Sequence, residues 1–499
     1  MASFMLAALA WCIPMVMFIF AMEIINVRRW PDLPPGPRPL PVIGNFHVIA
    51  RSSAHLHRSL AQLAERYGPL MTIWLGRRIP TIIVSTPDAA REVLHNADLA
   101  ARPAMDAWRA EGHAANSVIY LPPHGKWRAM RRFAATELFA KGRLDALQLL
   151  RQEKVQEMVR HVSEHAARGE SVEVGHAAFV TVLDLLSRTL FSVDLGTLQG
   201  VRHMVRAASV LAATPTISDA IPALAAADLQ GARRKLGALI RYAHRVIDEQ
   251  FAGRRRGRDA GDPRKNDMMD VVLDKEPEWK EGGSPMNYDA VKGMFTEFFV
   301  AGTETTSSTV EWAMAELLRH PEWMSKVREE LRTVIGTKRV MEESDIGKLP
   351  YLQAVVKETL RLHTVVALGF YQAMATTQVQ GYTIPKGSTI LVNFWAIHRQ
   401  GDIWTHPDKF MPERFIAKDI SFWGNDFELI PFGAGRRICL GLPLAHRMVH
   451  LMLGSLISNF SWTLPPEIEE NGIDMTDKFG TMVSMATPLK ALAANKCDE

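Results

Sequence analysis

From Tyr288 to Arg319 the chain can run as one helix, and His320-Pro321 closes it. A helix of that length spans about 48 Å, enough to traverse a whole domain. Helical periodicity recurs at 127–139, 155–165, 179–190, 233–251 and 440–460. Residues 71–85 are β-branched and aromatic around Gly76-Arg77-Arg78 and predict a hairpin. A second short β region is expected at 381–392, with a turn at Pro385-Lys386-Gly387. The fold class is therefore mainly α with a smaller β-rich part. The basic, glycine-containing stretch 253–265 has no apolar period and reads as an exposed loop between helices.

The middle of the long segment is unusual for a plain buried helix. Ala301-Gly302-Thr303-Glu304-Thr305-Thr306 combines glycine with several hydroxyls, all weak helix formers. Small residues allow a flat ligand to lie against the backbone, and hydroxyls can open a local bulge. A generic surface Glu with back-bonding threonines gives the same letters. Net charge is only +4, from 58 basic and 54 acidic residues, so a nucleic-acid binder is not indicated. Three scattered cysteines in 499 residues argue against a disulfide framework. Cys12 lies in an apolar N-terminal stretch and Cys497 is almost terminal.

Cys439 is different. It sits in Phe432-Gly433-Ala434-Gly435-Arg436-Arg437-Ile438-Cys439-Leu440-Gly441, ahead of a long apolar segment. Gly433, Gly435 and Gly441 let the backbone approach a flat cofactor. Backbone N–H groups at the start of the next helix favour a thiolate, and Arg437 supplies a cation for a cofactor carboxylate. The spacing F-x-x-G-x-R-x-C-x-G resembles the haem-binding loop of cytochromes P450. That resemblance implies haem b with Cys439 as axial iron ligand, and Phe432, Gly435, Gly441 and Arg437 around it.

Further residues match the same family in order. Ala301 to Thr306 resembles its oxygen-activating motif, which implies Thr305 as the catalytic alcohol and Glu304 as the acid of a proton relay. Glu358-Thr359-Leu360-Arg361 followed by Phe410-Met411-Pro412-Glu413-Arg414-Phe415 resembles the family's shared-carboxylate triad, giving Glu358, Arg361 and Arg414 a structural role. Trp127 and Arg131, one helical turn apart, resemble the W-x-x-x-R that faces a haem propionate. Arg128, Arg132 and Lys126 beside them offer positive charge to an acidic reductase surface.

Two stretches depart from the plant pattern. Thr364 and Val365 stand where prolines are usual, and Phe370 and Tyr371 where a proline precedes a basic propionate contact. His398-Arg399-Gln400-Gly401 replaces a typical Gly-Arg-Asp-Pro. The pocket segments implied by the family are 102–121, 298–305, 365–370 and 482–483. They include Ala301, Val365, Phe370, Met482 and Val483, largely apolar residues suited to a hydrocarbon-like ligand.

At the N-terminus, residues 4–22 carry no charge, close to the roughly 20 needed to cross a bilayer. Arg28 and Arg29 then orient the body to the cytosol. A cleaved signal peptide is the alternative, but no basic n-region follows Met1. The expected organisation is an anchor at 1–23, a basic, proline-rich hinge at 24–45 and a haem-thiolate monooxygenase domain at 46–499. The resemblance implies a single-pass endoplasmic reticulum protein that takes O2 and electrons from NADPH through cytochrome P450 reductase. The runs 427–431 and 441–445 resemble terpenoid hydroxylases, so a labdane-related diterpene or a monoterpene alcohol is the expected substrate. A phenylpropanoid or flavonoid hydroxylase, a haem-thiolate isomerase or dehydratase, and an inactive haem-binding relative are the alternatives.

Overall fold

The computed structural model describes residues 32–40, 43–47, 55–75, 80–196, 198–213, 216–220, 222–336, 340–480 and 482–495. The expected anchor, Cys12 and Cys497 lie outside the described residues. Ten helices matter for the site: α1 (Pro87–His95), α2 (Gly125–Glu137), α3 (Gln148–Arg168), α4 (Val174–Phe191), α5 (Gln199–Ala213), α6 (Ala232–Asp259), α7 (Met268–Glu281), α8 (Tyr288–Arg319), α9 (Pro350–Leu362) and α10 (Leu442–Asn459).

Helix α8 begins where the side chain of Asn287 accepts the N–H of Ala290 at 2.8 Å. Asp289 sits in its first turn and Arg319 in its last, each matched to the helix dipole. Proline at 321 then prevents continuation. Most of its length is buried, so it forms the axis around which the other helices pack. Helix α4 lies along it, with Phe191 edge-on to Phe295 and stacked near Phe299, centroids 5.6 and 6.1 Å apart. Although α4 is long and apolar enough to cross a membrane, 78% of it is buried inside the fold.

Four strands make the main sheet, in the order β1-β2-β4-β3: β1 (Leu70–Trp74), β2 (Pro80–Val84), β3 (Leu368–Gln372) and β4 (Thr389–Asn393). β1 and β2 form the expected hairpin, with Met71 opposite Ile83. β4 runs parallel to β2 and antiparallel to β3, pairing Ile390 with Ile82 and Tyr371. Alternation along β3 sends Phe370 and Tyr371 to opposite faces, the first 41% exposed and the second 3%. The proline-rich residues lie along β1: Thr72 donates its N–H to the Pro35 carbonyl at 2.8 Å.

The stretch at 253–265 is not the loop its composition suggests. Helix α6 continues to Asp259, and Arg254 is buried. Its guanidinium meets Asp267 and Asp270 at 2.6 and 2.8 Å, both at the start of α7. The basic run is held helical because acids thirteen and sixteen residues away neutralise its inward face; only the residues after 259 form the connection.

Candidate active site

The cysteine loop is built by its backbone. Gly433 and Gly435 take φ of +69° and +63°, where L-residues are strained. Gly433 donates its N–H to the Ile430 carbonyl and Cys439 to that of Phe432, both at 2.9 Å. A Cβ on Gly435 would stand 2.2 Å from the Leu94 carbonyl oxygen. Its missing side chain therefore admits the end of α1, not a cofactor. At Gly441 a Cβ would meet Cys439 Sγ at an ordinary 3.9 Å. Phe432 is half-buried and packs on Phe422, centroids 5.6 Å apart.

Cys439 is deep in the fold, yet its surface is accessible. Together these place its sulfur on the wall of an internal cleft. Burial pushes the thiol up, while the N–H groups of Gly441 and Leu442 and the charges of Arg131 and Arg102 act against it. The expected thiolate is thus not secured by the protein alone; a metal cation at the sulfur would secure it.

A second accessible patch inside the fold lies on α8. Ala301 is exposed and Thr305 half-exposed in the middle of an otherwise buried helix. Thr305 donates its hydroxyl to the Ala301 carbonyl at 2.7 Å, and Thr306 and Thr309 bond back likewise. Gly302 faces the neighbouring helix, where a Cβ would come within 3.1 Å of Leu186. Glu304, next to Thr305 in sequence, points elsewhere. It lies beside Ser209 and Arg206 of α5, and burial pushes its carboxyl up to about 7 against both of them. Acid and alcohol sit on different faces of α8.

Three arginines gather at one edge of the cleft. Arg131 donates to the Ile438 carbonyl, and Arg102 lies over the ring of Tyr371 at 5.6 Å. Arg437 lies over Trp127 at 4.5 Å. Burial and the other two arginines bring Arg437 down to about 9. Among the described residues none of the three forms an ion pair with a carboxylate, and Nε of Arg102 is buried without a partner. Buried cations without counter-charge are a site awaiting an anionic group, and the two propionates of a haem fit it.

Two donors there are already used. Trp127 gives its indole N–H to the Val118 carbonyl at 2.9 Å. Arg437 bonds the carbonyls of Ala100, Val118, Ile119 and Leu121 at 2.7, 3.3, 3.3 and 2.5 Å. Arg437 thus contributes charge to the edge while its N–H groups fasten the loop opposite. Arg102 and Tyr371 were not marked by any motif: the first falls in a segment without period, and the second stands where a basic residue is usual.

Glu358, Arg361 and Arg414 do meet. Arg361 is bidentate to Glu358 at 2.7 and 2.9 Å, and Arg414 Nε reaches the same carboxylate at 3.0 Å. The N–H of Met411 adds a fourth bond to it at 2.8 Å. Of the pocket residues, Phe370 and Ala301 are exposed. Val365 is buried, and its carbonyl accepts the N–H of buried Val483 at 2.7 Å. Met482 is half-buried.

An accessible cysteine beside a basic edge, and a buried helix interrupted by accessible Ala301 and Thr305, are the features of a haem-dependent enzyme. The chain belongs to the cytochrome P450 family, whose model matches residues 34–491. It is a cytochrome P450 monooxygenase with haem as cofactor. It is 42% identical over 479 residues to geraniol 8-hydroxylase of Catharanthus roseus, covering 93% of this chain and 94% of that one. To geranylhydroquinone 3''-hydroxylase of Arnebia euchroma it is 39% identical, covering 93% and 94%. A zebrafish cytochrome P450 solved with progesterone superposes with a TM-score of 0.76 at 26% identity, over 88% of this chain and 99% of that one.

Proposed function

We propose that this monooxygenase hydroxylates a hydrophobic terpenoid, with Cys439 as iron ligand and Thr305 and Glu304 delivering protons. Reductase-borne electrons from NADPH and an N-terminal anchor in the endoplasmic reticulum membrane belong to the same reading. The observation that carries it is the pairing of an accessible cysteine inside the fold with Ala301 and Thr305, the accessible part of a buried helix.

Haem bound here supplies activation of dioxygen at its iron. The chain's own contribution is position and proton supply. Arg102, Arg131 and Arg437 would balance the propionates, with Tyr371 and Trp127 packed among them. The Glu358 carboxylate locks α9 to the segment around Met411, which precedes the cysteine loop. A carboxyl near 7 can hold a proton at neutral pH and release it, the property a relay needs. The Thr305 hydroxyl can turn from the Ala301 carbonyl toward the cleft and donate there, while Glu304, on another face of α8, holds its proton beside Ser209 and Arg206 of α5. Apolar walls such as Phe370 and Val365 keep bulk water from the reacting centre.

Two relatives of nearly full coverage bear names of hydroxylases acting on geraniol and geranylhydroquinone, which supports a prenyl-derived substrate. The test is turnover by membranes with reductase, NADPH and a panel of monoterpene alcohols, diterpene olefins and phenylpropanoids. Oxygenated terpenoid products, with Thr305→Ala diverting reducing equivalents to peroxide, are expected. Products only from phenylpropanoids, or full product yield from Thr305→Ala, would overturn the substrate or the relay respectively.

A further inference from the structure

The two stretches in which this chain departs from the family pattern meet inside the protein. His398 and Thr364 are both buried, 0% and 1% exposed, and Nδ1 of the imidazole lies 2.9 Å from the Thr364 hydroxyl. On its other side Nε2 lies 3.0 Å from the backbone nitrogen of Ile430. A backbone N–H can only donate, so Nε2 is the acceptor and the proton resides on Nδ1. Thr364 accepts that proton's hydrogen bond and donates its own to the Arg361 carbonyl at 2.9 Å. The Leu360 carbonyl, at 3.3 Å, is a second acceptor for that hydroxyl hydrogen.

The imidazole thereby joins two parts of the site. At one end stands Arg361, whose Nη1 donates to the His398 carbonyl at 2.9 Å. At the other stands Ile430, whose carbonyl accepts from Gly433 while Phe432, two residues on, accepts from Cys439. We infer that His398 is a positioning residue: as a neutral Nδ1–H imidazole it anchors Ile430 and so holds the loop that presents Cys439. This rests on the reading of Cys439 as iron ligand.

The surroundings suit a neutral ring. Burial, Arg399 beside it and Arg361 of α9 hold His398 well below the ordinary imidazole value, and Thr364 and Ile430 offer no charge. Without an acceptor the Ile430 N–H would be a buried orphan. A smaller residue at 398 would leave the Thr364 hydroxyl without its donor as well.

Glutamine and asparagine separate the two contacts. The amide of Gln reaches the place of Nε2 and that of Asn the place of Nδ1, so His398→Gln keeps a partner for Ile430 and His398→Asn does not. Full-length holoprotein of each variant is reduced under carbon monoxide, and decay of the red-displaced Soret band is followed in mild urea. His398→Asn and His398→Ala should lose the band at least about tenfold faster than the parent, with His398→Gln within about threefold of it. Equal persistence in all variants, or equal loss in Gln and Asn, overturns the assignment. A parent protein without the band overturns the thiolate reading itself, a separate outcome visible before any variant is made.

Discussion

Replacing Glu304 by Gln tests the buried acid directly. Burial lifts its carboxyl from 4.5 to about 7, with Ser209 and Arg206 opposing. Each tenfold change in proton affinity is worth about 1.4 kcal/mol, so the ionised side chain disfavours the fold by about 3 kcal/mol at most. The sign follows from the folded value lying above the unfolded one. The stabilisation from a neutral Glu304 is complete below 4.5 and is lost as pH rises through about 7. Glutamine has nothing to ionise. Unfolding in urea, followed by tryptophan fluorescence at pH 5 and pH 8, should show Glu304→Gln gaining roughly 2–3 kcal/mol on the parent between those values. A gap that changes by less than about 0.5 kcal/mol, well inside a single pKa unit, would mean a solvated carboxyl and no poised acid. The same substitution should lower the product formed per NADPH consumed.

Arg361→Met leaves Glu358 facing Arg414 alone, a broken buried pair costing about 3–5 kcal/mol. Haem content per protein, read from the Soret-to-280 nm absorbance ratio, should fall sharply; an unchanged ratio would remove the triad from loop support. Gly435→Ala forces a Cβ against the Leu94 carbonyl at positive φ, a strain of about 1–3 kcal/mol. Its melting temperature should drop, whereas Gly253→Ala, which meets nothing within 4 Å, should not lower it.

The helices and the first hairpin could be read from the chain because their signals are local. An apolar period and a proline after Arg319 act within a few residues, and the structure places α8 with the expected ends. Charge was the misleading quantity. Arg254 and Arg258 look solvated until Asp267 and Asp270 fold back on them, a pairing with no local signature. Direction within a helix was equally hidden: adjacent letters suggested that Glu304 and Thr305 act side by side, but neighbouring helical residues diverge by about 100°. Arg437 could be read as a cation, not as the donor to four carbonyls. His398 and Thr364 looked like separate irregularities, because a hydrogen bond across 34 residues leaves no trace in either segment.

That one guanidinium restricts how the cavity can breathe. Arg437 grips the covering strip at Ala100 and again at Val118 through Leu121. Glu297 of α8 clasps Ser117 and the N–H of Val118 from the far side. Both margins of the strip are nailed down, and the span between them, with the left-handed backbone of Glu111 and Gly112, is tied to α6 by the Asp106–Arg233 and Glu111–Arg241 ion pairs, so the whole cover is braced from three sides.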